Sequence, residues 1–399
     1  MRKFVEIVSV GALLSLVSGP AALGWAVNGS FESEVRMFPD RPAFSDQSGA
    51  VGHFSTSLEA EFYHAPEGRS WEILVAPFFR VDGIDSHRTH ADLRECWWRW
   101  TADSWTAKVG LGEVFWGVTE SIHLVNAINQ TDLTEDIDGE EKLGQPMFHL
   151  SLDLAPGTLE FFALPYFRER TFPSARGRFL YGIPVDTDHP TFEASQRNWH
   201  PDMAVRYSRQ WGALDLAVSH FYGTSREPLL QPNATGTHLS PHYPLIHQSG
   251  LELQYTTENC LWKLEGFVRS GQEESPFWAG AGGLEYTFHD VAGTGMDLGV
   301  IVEYLHDTRE NEWLAPFADD LFLGVRAGMN DRLDTSILAG VYLDREDHST
   351  LAVIEAKRRL NDDWTVDLEG RFFANVAEEN PLNFFANDSY VGLRFRRAF

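Results

Sequence analysis

The chain has 399 residues, a formal net charge of −26 at pH 7, and a 43% hydrophobic composition rich in rings: 28 Phe, 13 Trp and 11 Tyr. An acidic balance of this size excludes nucleic acid as a partner bound through surface charge and favours cations instead. The two cysteines, Cys96 and Cys260, are too few for a disulfide framework and are read as small apolar strand residues.

Met1-Arg2-Lys3 is a short positive start, followed by an apolar run from Phe4 to Val17 and then by Ser18-Gly19-Pro20. This order predicts a secretory signal peptide over 1–26, cleaved after Gly24 or Ala26, with the mature domain at 27–399. The run is about 14 residues, too short for a spanning helix, and no later apolar stretch reaches about 18.

From there the chain alternates as strand after strand: 27–37, 50–64, 69–82, 89–101, 104–116, 146–155, 158–167, 202–210, 213–222, 247–257, 261–269, 279–288, 296–306, 319–329, 335–344, 349–359, 363–376 and 389–399. Trp71, Ile73, Val75, Phe79 and Val81 oppose Glu72, Arg80 and Asp82. Leu298, Val300, Val302 and Tyr304 oppose Asp297, Gly299 and Glu303. A period of two gives each strand one apolar and one wet face. The tight connections at 65–68, 102–103, 155–157, 210–212, 258–260 and 361–362 alternate with long ones at 38–49, 83–88, 117–145, 168–201, 223–246, 270–278, 307–318 and 377–388. An alternating hairpin set places short turns at one end and long loops at the other, as in an outer-membrane barrel. Trp71, Trp100, Trp105, Trp211, Trp262 and Trp364 flank short turns, and Trp116, Trp199, Trp278 and Trp313 flank long loops, which predicts two aromatic belts. The fold class predicted is all-β: a transmembrane up-and-down barrel of about 18 strands, with 16 as the alternative.

The last strand, Ser389 to Phe399, ends on a bare aromatic carboxylate. It resembles the closing strand of bacterial outer-membrane barrels, whose C-terminal aromatic is the signal read by the assembly machinery. That resemblance implies periplasmic chaperones and the barrel-assembly machinery as partners, beside outer-membrane lipid and lipopolysaccharide. The stretch from Val114 to Met147, with Leu164–Pro173 and Gly223–Pro228, resembles an uncharacterised family of Gram-negative outer-membrane, porin-like proteins. The resemblance spans roughly 27–270 and implies location and fold; the family has no assigned substrate and so transfers no site.

Ser121–Asn129 has Ile122, Val125 and Ile128 at helical spacing, which suits a short helix folded into the lumen or capping the rim. Asp132, Asp136, Asp138-Gly139 and Glu141 offer oxygen ligands, but their spacing fails the EF-hand pattern, so a solvated acidic loop is expected. His87-x-x-His90 lacks the spacing and glutamate of a metalloprotease, adjacent Ser219 and His220 point to opposite strand faces, and Ser121 with His123 is not read as a dyad either. No enzyme, cofactor or metal is therefore predicted.

What remains is a porin-like channel for passive diffusion of small solutes, its lumen wetted by inward charges such as Glu59, Glu113, Glu252, Glu265 and Glu303 against Arg80, Lys108, Arg206, Arg371 and Arg394. The alternatives are a plugged barrel for an apolar substrate and a surface adhesin or assembly partner. The candidate constriction pairs an acidic loop (Glu120, Asp132, Glu135, Asp136, Asp138, Glu140 and Glu141) with cations of the next loop (Arg168, Arg170, Arg176 and Arg178). Facing charges in a low-dielectric neck set ion preference, and the acid excess predicts a lean towards cations.

Overall fold

The computed structural model describes residues 24–310, 315 and 317–399. Of the expected leader, only Gly24, Trp25 and Ala26 fall within that range, and Trp313 lies outside it. Eighteen strands form one antiparallel sheet. They are β1 Trp25–Met37, β2 Gly52–His64, β3 Trp71–Asp82, β4 His90–Thr101, β5 Trp105–Gly112, β6 Gln145–Leu154, β7 Gly157–Leu164, β8 Asp202–Trp211 and β9 Leu214–Thr224. The second half comprises β10 Leu245–Thr256, β11 Cys260–Ser270, β12 Phe277–Phe288, β13 Asp297–Asp307, β14 Asp319–Gly328, β15 Ser336–Asp344, β16 Thr350–Arg359, β17 Trp364–Ala374 and β18 Tyr390–Ala398.

Each strand pairs with its successor, and β18 pairs with β1 from Ser30↔Ala398 to Met37↔Val391, so the sheet closes and no edge is left. The closure runs one residue further. Gly29 N–H donates to the Phe399 carbonyl at 3.0 Å, and Phe399 N–H returns a bond to Gly29 at 2.9 Å. The Phe399 ring fills the space that a Cβ at position 29 would need, so the seam requires glycine there.

The faces are inverted relative to a soluble fold. Val302 is 38% exposed while its neighbour Glu303 is fully buried, and Val325, Trp262, Leu264, Val268 and Phe395 also stand exposed on the outside. Glu34, Arg80, Glu252, Glu265 and Arg371 are buried on the inside. Such an arrangement needs partners for the charges within.

Several boundaries differ from the sequence reading. β5 stops at Gly112 rather than 116, because the chain turns into the interior and Val114 N–H is taken by the Asn129 side chain at 2.9 Å. β7 stops at Leu164, before Pro165, which has no N–H for the ladder. Trp116 belongs to no belt: it is buried inside, edge-on to Phe162, whereas Trp199, Trp211, Trp262 and Trp278 are exposed. The short–long alternation also weakens late in the chain. The turn-end connections 289–296 and 329–335 are longer than the loop-end connection 345–349. Both cysteines are unpaired, on β4 and β11.

Candidate functional site: a loop threaded through the barrel

Residues 113–144, between β5 and β6, cross the interior and touch the wall in three chemically different zones. The first is a set of carboxylates. Glu265 on β11 accepts N–H bonds from Val118 (2.6 Å), Thr119 (3.2 Å) and Leu124. Glu303 on β13 accepts from Glu120 N–H at 2.9 Å and from the N–H and hydroxyl of Ser121 at 2.8 and 2.6 Å. Gly117 donates to Glu252 on β10. This explains why the spacing of Ile122, Val125 and Ile128 yields no helix: the N–H groups a helix would bond internally are claimed by the wall. Gly117 has φ of +138° and faces His123 and Glu265 where its Cβ would stand, so the entry into the crossing needs glycine.

The second zone is apolar. Trp116, Val125, Ala127 and Ile128 pack on Met147, Phe162, Leu164, Ala204, Phe221 and Ile246, from β6 to β10. These contacts fill that half of the interior with side chains, as in a protein core.

The third zone is an ionic seam. Asp136 meets Arg36 at 2.8 Å and Arg394 at 3.3 Å, from β1 and β18. Glu135 meets Arg80 of β3 at 2.8 Å and His90 at 2.7 Å. Asp132 meets Arg94 of β4 at 3.0 Å, and Asp138 meets Arg371 of β17 at 2.6 Å. Behind them Glu34 joins Arg36, Arg80, Arg88 and Arg394. Burial alone would raise the Asp136 carboxyl, but Arg36, Arg371 and Arg394 outweigh it and hold it down at about 2. On the return leg a Cβ at Gly144 would overlap the Arg94 carbonyl, so the loop lies directly on the β4 backbone.

The predicted site residues are therefore placed as follows. Asp132, Glu135, Asp136 and Asp138 lie in the seam, opposite wall arginines rather than the next loop; the first three are buried instead of solvated, whereas Asp138 stays exposed. Glu120 points the other way, to Lys263 at 3.6 Å and Arg326 at 2.5 Å. Glu140 pairs with His123 at 3.2 Å, and Glu141 is exposed. Arg168 binds Asp92 at 2.7 Å. Arg170 donates from Nε to the Gln130 side chain at 3.2 Å. Arg176 contributes a carbonyl that accepts from Ser48 N–H. Arg178 is buried on Asp388 at 2.5 Å and ties its loop to the segment before β18. The expected opposition of charges exists, but its cations are Arg36, Arg80, Arg94, Arg371 and Arg394, spread over five strands.

His90, Asp132 and Glu135 bring ligand atoms within 4.8 Å of one another. Arg80 and Arg94 already hold the two carboxylates, which disfavours a cation there. His87 bonds the Phe172 carbonyl and forms no unit with His90.

One feature was missed from sequence. A cavity of about 1050 Å³ lies between the crossing loop, the loops 165–201 and 225–244, the segment before β18, and the wall from β13 to β17. Its wall side is apolar: Leu305, Phe322, Leu338, Tyr342, Leu351, Val353 and Phe373 all face inward. The signal was present in runs such as Leu321-Phe322-Leu323 and Leu351-Ala352-Val353-Ile354, which are apolar on both faces instead of alternating.

No family model matches this sequence, and no curated protein matches it. Among solved structures, a triple mutant of Rhodopseudomonas blastica porin aligns over 94% of this chain and 100% of its own at 11% identity, with a TM-score of 0.46. A second mutant of the same porin aligns over the same shares at 12% identity and 0.46. A structure described as showing asymmetric conductivity of engineered proteins aligns likewise at 11% and 0.46. A likeness so remote transfers no function.

Proposed function

We propose that the barrel lies in the outer membrane of a Gram-negative bacterium and acts as a porin-like channel for small solutes, narrowed by residues 113–144. The observation that carries this reading is the inverted strand: Val302 and Val325 exposed outside, Glu303 and Glu265 buried inside. Lipid suits the outer face, and lipopolysaccharide is the expected neighbour at the loop end. The pairing of Phe399 with Gly29 suits a terminal strand delivered by the assembly machinery, after removal of the leader.

Acids of the seam are matched by arginines and carry little free charge. A cation preference would instead come from Glu59, Glu95, Glu113 and Glu141, which have no basic group within 4.0 Å among the described residues. Enclosure by the barrel, with Glu95, Glu141 and Glu59 nearby, pushes Glu113 up to about 7. Protein refolded into planar bilayers is expected to give single-channel steps with a reversal potential on the cation side. Refolded, heat-modifiable barrels that insert and never conduct would sink the channel. The cavity of β13 to β17 favours a second reading, in which the solute has an apolar body.

A further inference from the structure

The charges around the apolar cavity are uneven. Every carboxylate on its lining has a cation at hand: Glu120 has Lys263 and Arg326, Asp138 and Glu355 have Arg371, Glu140 has His123, and Glu227 and Asp307 have Arg309. Among the cations, Arg170 lines the cavity with no carboxylate within 4.0 Å among the described residues; Glu227 acts on it from further off and is itself held by Arg269 and Arg309. The Arg170 guanidinium is held at one atom: Nε donates to Gln130 Oε1 at 3.2 Å, which also accepts from Thr131 N–H at 3.0 Å, while the Arg170 backbone N–H anchors the main chain on the Tyr243 hydroxyl at 3.1 Å. Lys142 adds to this positive spot. Among the described residues it donates to Thr131 Oγ1 at 3.1 Å, and burial together with Arg170 pushes its ammonium down to about 8.

An oriented guanidinium with spare donors, at the margin of an apolar space, is complementary to a molecule with one anionic end and an apolar body. We infer that this cavity is a binding site for amphipathic organic acids, the carboxylate on Arg170 and the apolar part against Phe322, Leu351 and Val353. The inference deepens the channel reading by naming a solute class, but binding can be measured without conduction.

The test uses the full chain in lipid nanodiscs and equilibrium dialysis with three probes: 4-phenylbutyrate, its neutral amide, and butyrate. The acid is expected to bind saturably, one per barrel, and at least about ten-fold tighter than either the amide or butyrate, since each lacks one of the two contacts. Arg170→Gln should weaken the acid about ten-fold and leave the amide unchanged. Val353→Glu, away from Arg170, should weaken the acid more than the amide, by setting a second negative charge in the same space. Equal binding of acid and amide, or an Arg170→Gln protein that binds the acid like the parent, would overturn the site. A barrel that conducts but binds none of the probes overturns this inference and leaves the channel standing. One that binds the acid but never conducts supports the site and removes the channel.

Discussion

Two regions of the interior, the ionic seam and the wall of the cavity, solve the problem of an inward face in opposite ways. On β1, β3, β4, β17 and β18 the wall is crowded with ions, and the crossing loop is the counter-charge that makes the crowding tolerable. On β13 to β16 the inward face is largely apolar: the loop touches it where Glu120 and Ser121 meet Glu303, Arg326 and Tyr342, and beside those contacts space remains. Burying like charges is costly unless each is paired and hydrogen-bonded, so the ionic region must be filled. An apolar wall imposes no such demand and tolerates a void. The difference teaches that the position of the loop is set by charge neutralisation, and the free space is what that leaves.

Removing the loop's central acid should break this contrast most severely. Asp136→Ala removes a carboxylate shared by Arg36, Arg371 and Arg394 and leaves them on Glu34, Asp138 and Glu369, with an expected cost of up to about 3 kcal/mol. The loop should leave its seat, which would be read as higher single-channel conductance and a lower unfolding temperature. A variant with parental conductance and stability would show that the seam does not hold the loop.

The outer face gives an effect of similar size. Val300→Arg should cost about 2–4 kcal/mol if that position meets the bilayer midplane, whereas Asp367→Asn, facing inward among Lys357 and Arg394, should assemble normally. Urea-melting of folded protein in vesicles distinguishes the two, and equal tolerance would place lipid elsewhere. Glu303, although also inward, is unsuited as a control because it anchors Glu120 and Ser121.

A smaller change is expected from Gly144→Ala. The added methyl group would overlap the Arg94 carbonyl and lift the return leg without altering any charge. Noisy, multi-level currents at near-normal stability are the expected reading; steady parental currents would mean that the leg has slack.

The smallest effect concerns pH. With its carboxyl at about 7, Glu113 is neutral below that value and negative above it, so cation preference should weaken as pH falls through 7. Glu113→Gln should remove that step in the reversal potential. Persistence of the step in the variant would assign it to another group.

The barrel itself was largely legible in the chain. Alternation is a local property of period two, and the eighteen expected strands coincide with the eighteen observed, with end errors where Gly112 turns inward and Pro165 breaks the ladder. That residues 113–144 are unusual was also legible, from their length and acid content. Their partners were not. Asp136 meets Arg36 one hundred residues away, and Glu34 meets Arg394 at a separation of 360. No pattern along the chain encodes which strands become neighbours of a loop that crosses the interior. Tertiary closure decided that the acids face wall arginines instead of Arg168, Arg170, Arg176 and Arg178, that Trp116 turns inward, and that an apolar cavity remains. Strand periodicity is fixed between adjacent residues, whereas charge pairing and empty space are fixed only once the sheet closes on itself.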